Sequence, residues 1–175
     1  RKAYQARHAD YTGRQVSSFM LGSRDHAGSV LSMVELARAN ARTVRTGLTR
    51  EVWEAVNECW IQLSALLARP AREANLVDMI AAIRRQTGLV RGAVHGSMLR
   101  TDVYNFARIG SFVERADNTA RILDVKYHVL LPSISYVGSS LDNVQWENVL
   151  RSVGAQSSFR WLNAGRVNAR GIAEF

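Results

Sequence analysis

Lysine is nearly missing from this chain. Of its 23 basic residues only Lys2 and Lys126 are lysines, so the formal charge of +8 is carried almost wholly by arginine. The arginines are scattered. Arg84-Arg85 is the one adjacent pair inside the chain, and no basic run alternates with aromatic residues as a nucleic-acid track would. The excess charge therefore leaves two readings open, an anionic partner or arginines spent on internal ion pairs, and nucleic acid rests on net charge alone. Proline is also scarce, with only Pro70 and Pro132, which leaves room for long uninterrupted helices. Cys59 is the single cysteine. It excludes an intramolecular disulfide and fits a reducing, cytoplasmic setting. No apolar run reaches the ~20 residues of a membrane span. The chain opens Arg1-Lys2-Ala3-Tyr4, without Met and without the apolar stretch of a signal peptide, and it reads as a piece of something longer.

Catalytic signatures are missing as well. There is no His-Glu-x-x-His zinc motif, no phosphate loop and no Gly-x-Gly-x-x-Gly turn. His8, His26, His95 and His128 do not form the paired Glu-x-x-His motifs of di-iron bundles. No metal and no cofactor is expected. Cys59 falls among tryptophans on an apolar stripe, a core position rather than a nucleophile's.

What the chain does contain is helical periodicity. After a short amphipathic stretch from Arg1 to Met20 and a turn over Gly22–Gly28, a helix spans about Ser29–Thr46, with Gly47 in the place of a C-terminal cap. Thr49 is the expected N-cap of a helix to about Leu67. There Val52, Val56, Cys59, Leu63 and Leu66 form a stripe that Trp53, Trp60 and Leu67 widen. A third helix spans about Glu73–Leu99, with Leu76, Ile80, Ile83, Val90 and Val94 as core candidates. The fourth and longest runs from about Asp102 to Leu131, before Pro132. Shorter helices follow at about Asn143–Val153, Ser157–Leu162 and Val167–Phe175. Long helices with short connections make antiparallel neighbours. The expected fold is an all-α, antiparallel helical bundle with one long central helix and short C-terminal helices, a single domain over residues 1–175.

Three features ask for a function. On the long helix, Ile109, Phe112, Val113, Ala116, Ala120, Leu123, Tyr127 and Leu130 share one apolar face. Arg108, Arg115 and Lys126 form a basic stripe expected to reach solvent. A second stripe holds Glu114, Asp117, Asn118, Arg121, Asp124 and His128. It reads either as a solvated ladder of four-residue pairs or, given the apolar positions flanking it, as an internal ionic network. On the Ser29–Thr46 helix, Glu35, Arg38, Arg42 and Arg45 share a face. Three arginines there call for an opposing acid, from Glu114 or Asp117 or from an anionic ligand, unless the face is simply exposed. Asn40 falls among Met33, Leu36 and Val44 and is expected to be a buried amide with specific partners. Finally, Gly88, Gly92 and Gly96 recur every four residues within a helix. Such a cost points to a closely packed neighbour, to ligand space or to a helix break.

The stretch Ile109-Gly110-Ser111-Phe112-Val113-Glu114-Arg115-Ala116-Asp117-Asn118-Thr119-Ala120-Arg121-Ile122-Leu123-Asp124 resembles the signature of the bacterial alpha-E domain family. The segments from Ala37 to Arg45, Glu51 to Asn57 and Gln145 to Val153 are similar to that family too, in matching order. The resemblance implies a helical domain of undefined activity. Its relatives begin with a further helix bearing a similar Glu-Arg-Ala stretch, which this chain lacks, so it is expected to be a fragment with a bundle face uncovered. It also implies protein partners: an ATP-grasp-like peptide ligase and a transglutaminase-like protein, acting on a peptide-like product. The resemblance offers no established catalytic residue. Its candidates are Glu114, Arg115, Asp117, Asn118 and Arg121, with Arg38, Arg42 and Arg45 as an anion-binding set supported by Glu35 and Asn40. An accessory module for the ligase is the first functional expectation. An enzyme of the same pathway, using the Glu/Asp/Arg cluster on an anionic substrate, is the second. A nucleic-acid-binding domain is the third.

Overall fold

A computed structural model describes residues 2–5, 11–130, 133, 136–163 and 168–175. His8, the expected helix end at Leu131-Pro132, Ile134-Ser135 and Val167 lie outside them. The described residues are helical and contain no strand. They divide into two compact units, Arg1–Asn105 and Phe106–Phe175.

In the first unit, α1 (Lys2–Gln5) and α2 (Gly13–Gly22) precede α3 (Val30–Thr43), α4 (Arg50–Leu67) and α5 (Glu73–Ser97). Local chemistry sets the starts. Thr12, Ser29 and Thr49 each accept a hydrogen bond from the backbone N–H three residues on, as N-caps do. α3 ends in a tight 3-10 turn, Arg45–Gly47, rather than in a left-handed glycine cap; Gly47 is not among the glycines with positive φ. At the end of α2 a glycine is required. A Cβ on Gly22 would come 2.8 Å from the Leu67 carbonyl oxygen.

The core of this unit joins Leu31 of α3, Cys59, Leu63 and Leu67 of α4, Ala71 of the connection and Met79 of α5. A second cluster gathers Val52, Met98 and Tyr104. The α4 stripe is therefore the one its spacing predicts, and α4 lies between α3 and α5, packed on both. Two expectations fail here. Ile80 is exposed, and Met79, one position round the helix, is the buried residue. Asn40 is exposed together with Met33, Leu36 and Val44. α3 instead turns Leu31, Val34, Arg38 and Ala41 inward, and Arg45 of the following 3-10 turn continues this three-and-four spacing, which includes two arginines.

α6 (Asp102–Val125) spans the division between the units and continues as a wider π turn, Lys126–Leu130. The second unit adds α7 (Ser140–Ser152), α8 (Gln156–Leu162) and α9 (Ala169–Glu174). Trp146, Val149, Leu150, Phe159 and Ile172 form its core, with Ile122 and Leu123 of α6 packed against them. α7 closes on Gly154 at φ +71°, where the Ala155 N–H donates to the Leu150 carbonyl at 2.8 Å. This six-to-one bond needs a left-handed residue, and glycine takes that conformation without strain.

Candidate functional site

The acid–arginine stripe of α6 is a surface ladder. Asp117 accepts from Arg121 Nε at 2.7 Å, and Asp124 lies 3.6 Å from His128 Nε2. Glu114 accepts from the Asn118 amide. All of these side chains are exposed. The structure thus brings Glu114 to Asn118 and Asp117 to Arg121 as four-residue pairs in water, not as the internal network that the flanking apolar positions suggested. Such pairs hold the helix by only ~0.2–0.5 kcal/mol each. Their pairing draws the Arg121 guanidinium further above its ordinary range, first through the Asp117 hydrogen bond. Arg115 is exposed as well.

The apolar face of the same helix is also uncovered. Ile109, Phe112, Val113, Ala116 and Ala120 stand in solvent, with Phe106 71% and Val113 63% exposed. Leu123 is the member that packs into the described core. Toward the end of α6, Asn118, Arg121, Ile122, Val125 and Leu130 border an open groove of about 540 Å³, completed by Gln145, Asn148, Val149 and Ser152. Gln145 donates its amide to the Leu130 carbonyl at 2.8 Å. Its Oε1 is buried without a partner among the described residues.

Lys126 breaks the expected basic stripe. It is 1% exposed, and its Nζ lies 2.6 Å from Oδ1 of Asp142, itself 2% exposed. Asp142 also accepts from the Gly138 N–H at 2.9 Å, with Gly138 at φ +81°. Burial works against the charged carboxylate. The Gly138 N–H, the Lys126 ammonium and the Trp146 indole outweigh it and hold the acid below its usual range. The Lys126 ammonium also sits 5.3 Å from the centre of the Trp146 ring. Sequence spacing gave no sign of this pair, because the acid lies on another helix, just before the predicted start of α7.

The arginines of α3 meet aromatic faces. Arg38 lies 4.3 Å from the centre of the Trp60 ring, and its Nε donates to Asn57 Oδ1 at 2.7 Å. Asn57 is held for this by donating its own amide to the Trp53 carbonyl at 2.9 Å. Arg45 lies 5.4 Å from the Trp53 ring and donates to the Leu48 carbonyl at 3.3 Å. The Arg38–Trp60 and Arg45–Trp53 pairs run in opposite directions along the two helices, so α3 and α4 are antiparallel. The expected acid is absent from these contacts. Glu35 pairs instead with Arg24 at 3.1 Å, away from the three arginines. Arg42 is exposed.

Gly88, Gly92 and Gly96 have no close neighbour. A Cβ on any of them would meet nothing within 4 Å. The helix is unbroken there, and with Arg84, Thr87, Arg91 and His95 the first two glycines border a shallow depression. Cys59 is buried, and desolvation pushes its thiol above the ordinary range, as its core position implied. Among the described residues no three His, Cys, Asp or Glu side chains cluster as metal ligands would. None of the described helices is long and apolar enough to cross a membrane.

These features define a class: an all-helical domain in which one long helix, α6, displays an acid–arginine ladder on its surface. The chain belongs to the Alpha-E family, described as a predicted alpha-helical domain with a conserved ER motif, whose model matches residues 1–175. Glu114-Arg115 is the chain's sole Glu-Arg dipeptide. Neither the curated proteins nor the solved structures contain a significant match.

Proposed function

We propose that this domain is a non-catalytic, cytoplasmic helical module that docks a protein partner through α6, as an accessory of a peptide-forming ATP-grasp-type ligase or its transglutaminase-like companion. The observation that carries the reading is the uncovered seam on the helix that bears Glu114-Arg115. Phe106, Ile109, Val113, Ala116 and Ala120 recur at alternating three- and four-residue steps, and Phe112 flanks them. This is the spacing by which one helix packs along another. Exposed apolar residues in such a line mark an interaction surface more often than an accident of composition. The ladder beside the seam supplies charged groups that would set the partner's register. Its carboxylates are open to water, which favours a recognition role over acid–base chemistry, where desolvated groups are the rule.

The test is co-purification with an ATP-grasp-type ligase of the same organism. Phe112→Ser and Val113→Ser should each abolish capture while leaving the melting temperature within a few degrees, since neither side chain is buried. Undiminished capture by the double variant would sink the proposal. So would turnover of a substrate by the isolated domain that is lost on Glu114→Gln.

A further inference from the structure

We infer that the arginine face of α3 is a second binding surface, independent of α6, that takes an acidic protein segment through its carboxylates. Its three arginines, Arg38 and Arg42 on α3 and Arg45 in the 3-10 turn that follows, span eight residues, roughly 10 Å. Two of them are already in place. Arg38 is stacked on Trp60 and held at Nε by Asn57, and Arg45 is stacked on Trp53 and held by the Leu48 carbonyl. A guanidinium fixed in this way has lost much of its side-chain freedom before a ligand arrives, so less ordering entropy opposes binding. No hydrogen bond to either terminal nitrogen of Arg38 is found among the described residues.

No acid of α3 or α4 neutralises the face. The carboxylates on the two helices that build it are engaged elsewhere: Glu35 with Arg24, Glu54 with Arg50, and Glu58 with the Gln62 amide. Glu51, in the first turn of α4, acts on Arg50. Arg42 makes no ion pair or hydrogen bond among the described residues. The result is a line of three cations with no counter-charge from the two helices beside it.

The same stacking chooses between anions. Single-stranded nucleic acid gains affinity by laying bases on exposed aromatic rings, and here a guanidinium already lies over one face of Trp53 and of Trp60. What remains is a set of planar N–H forks, which match carboxylates in pairs. In an extended peptide three residues span about 10 Å, so acidic side chains at every third position would meet the outer two arginines.

The experiment is fluorescence anisotropy of a labelled hexaglutamate peptide titrated with the whole domain at low and at physiological salt. Saturable binding is expected. Arg42→Glu should weaken it about tenfold or more, the scale of a lost charge-assisted hydrogen bond. Arg84→Glu on α5, an equal change of net charge elsewhere, should leave it within about twofold. Arg38→Lys keeps the charge and loses the fork, and it should weaken binding several-fold. Arg42 is exposed, so its replacement leaves the fold intact, which a melting curve verifies. No binding at low salt, an equal loss with Arg84→Glu, or tighter binding of oligothymidylate that depends on the same arginines would each overturn the inference. None of these outcomes bears on α6, whose test is ligase capture by the Phe112 and Val113 variants.

Discussion

Lys126 and Asp142 are the residues on which the second unit depends most sharply. Removing one partner of a buried ion pair strands the other charge away from water, at a cost of roughly 3–5 kcal/mol. Asp142→Asn should therefore lower the stability of residues 106–175 by that order, read from denaturant unfolding at neutral pH. The acid limb has a defined sign. The Asp142 carboxyl is held below its ordinary value, so its contribution is complete above the usual carboxylate range and disappears as pH falls through the depressed value. The gap between wild type and Asp142→Asn should close only at strongly acid pH. Arg38 and Asn40 give a second contrast. Arg38→Ala loses a stacked ring contact and a charge-assisted bond, together about 1–3 kcal/mol. Asn40→Ala should stay within about 0.5 kcal/mol of wild type, because the amide is in solvent. Equal losses from the two would contradict the observed facing of α3. Hydrophobicity alone puts Asn40 inside and Arg38 outside. It misses that an arginine stem packs like an apolar chain and that its planar head is weakly hydrated enough to lie on an indole.

Among the elements, α4 was the most legible. Its cap Thr49, its end at Leu67 and its buried stripe all follow from three- and four-residue spacing, because it packs on both sides and its periodicity has one solution. α3 was legible in extent but not in facing. α6 was legible as a long helix, while its apolar face proved uncovered between Ile109 and Ala120. An apolar stripe says that a partner is needed, not that the partner is in the same chain. The glycines of α5 carry a prediction at this scale. Since a Cβ at Gly88, Gly92 or Gly96 meets open space, Gly88→Ala should raise stability by about 0.5–1 kcal/mol through helix propensity alone. A loss of stability in thermal melts would show that something packs there.

Over the whole molecule, the all-α class and the family were readable from the order of motifs along the chain. The division into two units was not, because it falls inside an unbroken helix, where composition gives no linker to see. The candidate site was legible as a set of residues and not as an environment. The spacing of Glu114, Asp117, Asn118 and Arg121 fixes their pairing along one helix, but exposure depends on what else covers that helix. The scarcity of lysine has a further consequence once Lys126 is placed. The residue is 1% exposed, its ε-amine paired with Asp142 and set against the Trp146 ring, where acylating reagents do not reach it while the second unit is closed. A succinimidyl ester should reach Lys126 only at the rate at which the second unit opens. Peptide mapping of such a time course would make one buried amine a clock for the breathing of the surrounding helices, and prompt labelling of Lys126 would show that the pair is not closed in solution.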